Sequence, residues 1–137
     1  MQAKYYSIDL LPGLMPQEQK LLRSHGINDT KKLLWTTRNS HSRQDLANKL
    51  KLNQKQIQKW AALADLARIP SVGSKYCGLI LHGGVTSVSQ LARTSFPDLH
   101  RQILRLQVAT LQRKDLAPTL EQVKRWIDEA KSLCLNI

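Results

Sequence analysis

The chain is largely written twice. Shifting the sequence by 58 positions pairs Leu11 with Ile69, Pro12 with Pro70, Leu14 with Val72, Leu21 with Leu79 and Leu22 with Ile80. The same shift pairs Gly26 with Gly84, Ile27 with Val85, Leu33 with Leu91, Arg43 with Arg101 and Leu46 with Leu104. Further on, a shift of 66 pairs Asn53 with Thr119, Ile57 with Val123, Trp60 with Trp126 and Ala64 with Ala130. The second copy therefore carries an eight-residue insertion, within Gln107 to Pro118. Chance can supply a few apolar matches. It does not readily supply the proline, the glycine, the N-cap and the tryptophan as well. A repeat of this length restricts the fold to one small unit used twice.

Each copy reads as helical. In the first, Gln17 to Ser24 carries Leu21 and Leu22 and stops at His25-Gly26, where the glycine suits a left-handed stop. Asn28 or Asp29 then caps a short helix bearing Leu33, Leu34 and Trp35. Ser42 to Leu50 follows, with Leu46, Ala47 and Leu50 on one face. After the turn Lys51-Leu52-Asn53, the pair Asn53 and Gln56 has the spacing of a capping box.

A long helix from about Gln54 to Ala67 is the expected joint. Ile57, Trp60, Ala61 and Ala64 share one face, while Ala62 and Leu66 lie opposite, near the second copy. A helix apolar on two sides is buried between two units. Lys55 and Lys59 fall away from the Trp60 face and are expected in solvent. The second copy repeats the plan: Ser74 to His82, a Thr86-capped helix through Leu91, Asp98 to Leu106, and a Thr119-capped last helix. That last helix buries Val123, Trp126, Ile127, Ala130 and Leu133. Gln107 to Pro118, polar and basic with Arg113 and Lys114, is the connection expected to be least ordered. No strand pattern occurs. The expected fold is all-α, with residues 1–65 and 66–137 as two units sharing the central helix.

Two turns carry the chemistry. In Ile69 to Tyr76, read IPSVGSKY, Pro70 fixes its own φ and Gly73 tolerates a positive one. Such a turn leaves amides at the start of the next helix without intrahelical partners, and with the helix dipole these favour an anion. LLPGLMPQ, Leu10 to Gln17, is the corresponding stretch in copy one. Both resemble the hairpin of the helix-hairpin-helix family, which holds a DNA phosphate on the amides of a Gly-apolar-Gly turn. The order of elements resembles a complete double helix-hairpin-helix, or SAM-like, unit. Units of this kind occur in recombinase N-terminal domains and in the C-terminal domain of the bacterial RNA polymerase alpha subunit. The tandem arrangement, roughly Ser7 to Leu133, resembles an uncharacterised bacterial, notably cyanobacterial, family with two such units.

The resemblance implies phosphate contacts at Ser71, Val72, Gly73, Ser74 and Lys75 in the second hairpin, and at Gly13 and Leu14 in the first. Lys20 and Arg23 would flank a strand at the first hairpin. Hairpin two is the stronger candidate, although Ser71 replaces the first glycine. In hairpin one, Met15 takes the place of the second glycine, and Pro16 removes a donor. Arg43 and Arg101 hold equivalent positions on helix faces that are otherwise solvated. Trp60 and Trp126 have the ring chemistry to stack on bases, but their spacing with Ile57 and Val123 assigns them to the core.

Composition narrows the partner. Lys and Arg number 21 against 10 acidic residues, a net charge of +11 that favours a polyanion. No apolar run approaches the ~20 residues that span a bilayer. The N-terminus has no signal-peptide pattern, and Cys77 and Cys134 are not a CxxC pair, as suits core thiols in a reducing cytoplasm. His25, His41, His82 and His100 are scattered, without zinc spacing, and no Walker loop or Gly-x-Ser-x-Gly is present. The glycosylases that use this hairpin combine it with a lysine and a downstream aspartate, and here no Val-Asp-Thr-like element follows the hairpin, the nearest downstream acid being Asp98. The expectation is therefore a non-enzyme, needing neither cofactor nor metal, that binds duplex DNA through its backbone without reading sequence. The alternatives are a helical adaptor for an acidic protein and a subunit of an RNA-containing assembly.

Overall fold

A computed structural model describes residues 2–106 and 118–135. Among them are eight α-helices and no strand, as an all-α fold requires: α1 (Pro16–Ser24), α2 (Thr30–Thr36), α3 (Ser40–Leu50), α4 (Gln54–Ala67), α5 (Gly73–His82), α6 (Val88–Ala92), α7 (Phe96–Leu106) and α8 (Leu120–Leu135). A 3-10 turn over Ile8–Leu10 precedes them. Helix α4 has the bounds expected from the sequence, while α1, α3, α5 and α7 each begin one or two residues earlier. The insertion before Pro118 lies outside the described residues.

Capping decides where the short helices begin. Asp29 Oδ1 accepts from the Lys32 N–H at 2.8 Å, and Ser87 Oγ accepts from the Gln90 N–H at 3.0 Å. Ser87, rather than Thr86, therefore caps α6, at the position equivalent to Asp29. Thr86 instead donates its N–H and its hydroxyl to Gln90 Oε1, at 2.9 and 3.0 Å. The capping box expected at Asn53 and Gln56 is not formed. Asn53 Oδ1 caps Lys55 N at 2.9 Å, while Gln56 Nε2 donates to the Glu18 carboxylate on α1. A charged acceptor outcompetes a neutral box. At α8 the box does close, with Gln122 N–H donating to Thr119 Oγ1 and Thr119 N–H to Gln122 Oε1.

The repeat is visible in what is buried. Leu11 and Ile69, Leu14 and Val72, Leu22 and Ile80, Ile27 and Val85, and Leu33 and Leu91 are buried in both copies. So are Ile57 and Val123, Ala64 and Ala130, and the two tryptophans, Trp60 and Trp126, each 1% exposed. Gly26 and Gly84 both end their helices with positive φ, at 79° and 96°. Tyr76 packs on Trp126 with ring centroids 5.1 Å apart.

Helix α4 packs against α2 and α3 on one side and α5 on another, while α8 packs against α6 and α7. The buried residues of both copies form one contiguous apolar cluster. The boundary expected after residue 65 thus falls inside α4 and marks the repeat, not a gap in packing. The N-terminal segment crosses that boundary, since the Lys4 N–H donates to the Arg68 carbonyl at 2.9 Å. Cys77 is buried and Cys134 half-buried, and neither forms a disulfide. Burial pushes the Cys77 thiol up to about 11. No helix among the described residues is long and apolar enough to cross a membrane.

Truncating a repeated tryptophan should open a cavity. Trp126→Ala is expected to cost about 3–5 kcal/mol, read from the urea unfolding midpoint and slope. Trp35 is 62% exposed, and Trp35→Ala should change stability by no more than about 0.5 kcal/mol.

Candidate nucleic-acid interface

The two hairpins fold differently. In hairpin two the positive φ falls at Gly73 (56°), whereas in hairpin one it falls at Gly13 (83°), which the repeat aligns with Ser71. This difference redistributes the amides. The Ser71 N–H donates to Glu129 Oε1 on α8 at 2.8 Å, and the Val72 and Gly73 N–H groups both donate to the Ile69 carbonyl at 3.0 Å. The expectation that Ser71, Val72 and Gly73 offer free amides is therefore corrected. All three are engaged within the chain. Gly73 is also buried, and a Cβ there would lie 3.0 Å from the hydroxyl of Tyr6. Ser74 and Lys75 keep amides without an acceptor among the described residues. The Lys75 ammonium lies 5.1 Å from the Tyr76 ring centroid.

Glu129 is the residue that closes hairpin two. Its side chain is 7% exposed, and its second oxygen accepts from Arg125 Nε at 3.0 Å. Burial pushes its pKa up, but the Ser71 amide and the Arg125 guanidinium outweigh that effect and leave the carboxyl below its ordinary 4.5. Ser71 acts here through its backbone, since its Oγ has no hydrogen-bond partner among the described residues.

Hairpin one is less encumbered. Gly13 is exposed, and the Gly13 and Leu14 amides have no acceptor among the described residues. The Leu14 side chain itself goes into the core. Met15 N–H is taken by Glu18 Oε1 at 2.8 Å, and Pro16 has no donor. Lys20 and Arg23 line a shallow depression of about 410 Å³ with Asp9 and Gln17. Arg23 is paired with Asp9, so among the described residues Lys20 is its cation without a carboxylate partner.

The strongest basic feature lies elsewhere. A cleft of about 740 Å³ runs along α4 between the two copies, with Arg38, Arg43, Lys55, Lys59 and Arg68 among its lining residues. Among the described residues Asp65 is the one carboxylate in its wall. Both Asp65 oxygens are engaged, one by Arg68 Nε at 2.8 Å and the other by the Val88 N–H at 2.8 Å. Arg38, Arg43, Lys55 and Lys59 have no carboxylate partner among the described residues. Arg43 Nη1 donates to the Thr37 carbonyl at 3.1 Å, while its Nε is buried without a partner. Its repeat counterpart Arg101 is exposed beside Asp98 at 3.7 Å. Of the lining residues, Lys59 also approaches hairpin one, its Cε lying 3.9 Å from where a Gly13 Cβ would be.

This cleft was not assembled by the sequence reading, which treated Arg43, Lys55 and Lys59 as separate solvated residues. A signal existed. Lys55 and Lys59 follow one another at helical spacing on the face of α4 away from Trp60, with the small side chain of Ala62 next along it. Among the described residues no group of three or more His, Cys, Asp or Glu converges as a metal site.

The chain belongs to the family described as a domain of unknown function, DUF4332, whose model matches residues 12–133. No curated protein and no solved structure matched the chain.

Removing the clasp on hairpin two should be measurable. Glu129→Ala leaves the Ser71 amide without an acceptor and is expected to cost about 1–3 kcal/mol. The folded pKa of Glu129 lies below the ordinary value of 4.5. Its contribution is therefore present above that value and lost as the pH falls through the lowered one. Urea midpoints over that range should fall more steeply for the parent protein than for Glu129→Gln, whose amide oxygen accepts without titrating.

Proposed function

We propose that the protein binds duplex DNA without reading its sequence. One strand's phosphates lie in the α4 cleft and its edge meets hairpin one. The observation that carries this reading is the set of four basic side chains, Arg38, Arg43, Lys55 and Lys59, lining one cleft without carboxylate partners among the described residues. Surface cations on a basic protein are usually dispersed or paired. Here the cleft's single acid is occupied, so the local field is positive and the low-dielectric walls concentrate it. Phosphodiester oxygens are acceptors only, and guanidinium and ammonium groups are donors only, so the chemistry matches. The Gly13 and Leu14 amides add neutral donors at the cleft's end. Such contacts position a protein on the backbone and carry no base information.

The resemblance to helix-hairpin-helix proteins supports the same target, with the weight moved from hairpin two to hairpin one and α4. Titration of duplexes of unrelated sequence tests it. Affinity should be insensitive to sequence and fall with salt, with a log–log slope of about −4 to −5 for ~5 neutralised phosphates. Lys55→Ala should reduce that slope by about one, and Lys75→Ala should leave it unchanged. Binding that is flat with salt, or absent at low salt, would instead place the protein among helical adaptors for acidic proteins. A strong preference for RNA would point to an RNA-containing assembly.

A further inference from the structure

One exposed feature beside the cleft has no role in holding a duplex. Trp35 is 62% exposed, whereas the chain's two other tryptophans are each 1% exposed. The repeat aligns it with Arg93, so it is not a displaced core residue. It is held in place by Arg38. The guanidinium carbon lies 4.2 Å from the indole centroid, and Arg38 Nη1 donates to the Trp35 carbonyl at 2.8 Å. Arg38 lines the cleft, so the indole stands at the cleft's rim. Tyr5, 44% exposed, lines the same cleft, with the Lys31 ammonium 5.6 Å from its ring centroid. Lys31, Trp35 and Arg38 follow one face of α2 and the turn after it. The result is a strip in which cations and exposed rings alternate.

A phosphate ridge uses the cations of such a strip but gains nothing from the rings. The bases of an intact duplex are stacked on each other and present no free face. An unpaired base does, and base–aromatic stacking tolerates any sequence. Arginine suits this arrangement, because it can lie on a ring while its remaining N–H donors reach a phosphate.

We propose that the preferred partner is DNA in which a duplex runs into an unpaired strand. The paired backbone lies in the α4 cleft and the first unpaired bases stack on Trp35 and Tyr5. This rests on the duplex-binding reading of the cleft and adds the class of DNA end to it. Cation-flanked aromatics also serve protein partners. The four cations along the adjoining cleft, without carboxylate partners among the described residues, favour a polyanion whose bases are free to stack.

The test compares a blunt duplex, the same duplex with an oligothymidine extension, and oligothymidine alone, by fluorescence anisotropy at low salt. The extended duplex should bind about five- to 140-fold more tightly than the blunt one, the range for one stacked base. Trp35→Ala should abolish that difference, any loss from the freed Arg38 falling equally on blunt and extended duplexes, and Trp35→Phe should retain most of it. Because Trp60 and Trp126 are buried, quenching of intrinsic fluorescence by the extended duplex should report Trp35 and disappear in Trp35→Phe. Circular dichroism of each variant separates loss of stacking from loss of fold. Equal affinity for blunt and extended duplexes overturns the inference while leaving the cleft reading intact. A preference for the extension that survives Trp35→Ala also overturns it. Absence of duplex binding at low salt overturns both.

Discussion

Burial of α4 on two sides is the constraint on which the remainder of the molecule depends. Ile57, Trp60, Leu63 and Ala64 are buried, as are Leu66 and Ala67 at the end that leads into α5. A helix buried on two sides has one stripe left for solvent. On α4 that stripe carries Lys55, Gln58, Lys59, Ala62 and Asp65, all of which line the cleft. The small side chains of Ala61 and Ala62 leave room in the middle, and α2 with Arg38 supplies one wall. The packing that joins the two copies and the basic cleft between them thus arise from the same fourteen residues. A charge-reversing change on the outer stripe would alter the cleft without entering the core.

The two hairpins show how a repeated unit comes to differ. Position for position, Gly13 corresponds to Ser71, and Leu63 to Glu129. In copy one the pair is apolar, with Leu63 Cδ1 lying 3.6 Å from where a Gly13 Cβ would be. In copy two the same pair is polar, and the carboxylate takes the Ser71 amide. A buried carboxylate needs donors, and a turn rich in amides supplies one. An amide turn that can hold a phosphate can equally hold the chain's own glutamate. In copy two that acid takes the Ser71 amide, whereas in copy one Glu18 takes the Met15 amide and leaves those of Gly13 and Leu14 without an acceptor among the described residues.

This explains what the sequence made legible and what it did not. The helices, the repeat pairs and the buried tryptophans follow from periodicity and spacing, which act over a few residues. Asp29 and Ser87 as caps follow from the same local chemistry, although Thr86 offered an equally good hydroxyl one residue away. The ranking of the hairpins depended on a contact between residues 58 apart, Ser71 and Glu129. Glu129 sits among the apolar residues of α8, where helical spacing cannot say which polar group meets it. The cleft required knowing that Arg38, Arg43, Lys55 and Arg68, from different elements, face one another. Pattern arguments place residues on faces, and only packing brings faces together.

Net charge alone singles out no surface. Of the cations behind the +11, Arg23, Arg68, Arg101 and Arg125 each have a carboxylate within 4.0 Å. A paired surface cation has part of its field cancelled, and a polyanion must displace the existing partner to use it. Arg23 illustrates the point: a flanking role beside hairpin one requires it to leave Asp9. Arg38, Arg43, Lys55 and Lys59 have no such competitor among the described residues, and Arg38 is already ordered against the Trp35 ring. Ordering before binding reduces the entropy lost on contact, which favours a fixed guanidinium over a free lysine of equal charge. Pairing and order, more than the number of charges, mark the α4 cleft as the surface suited to a phosphate backbone.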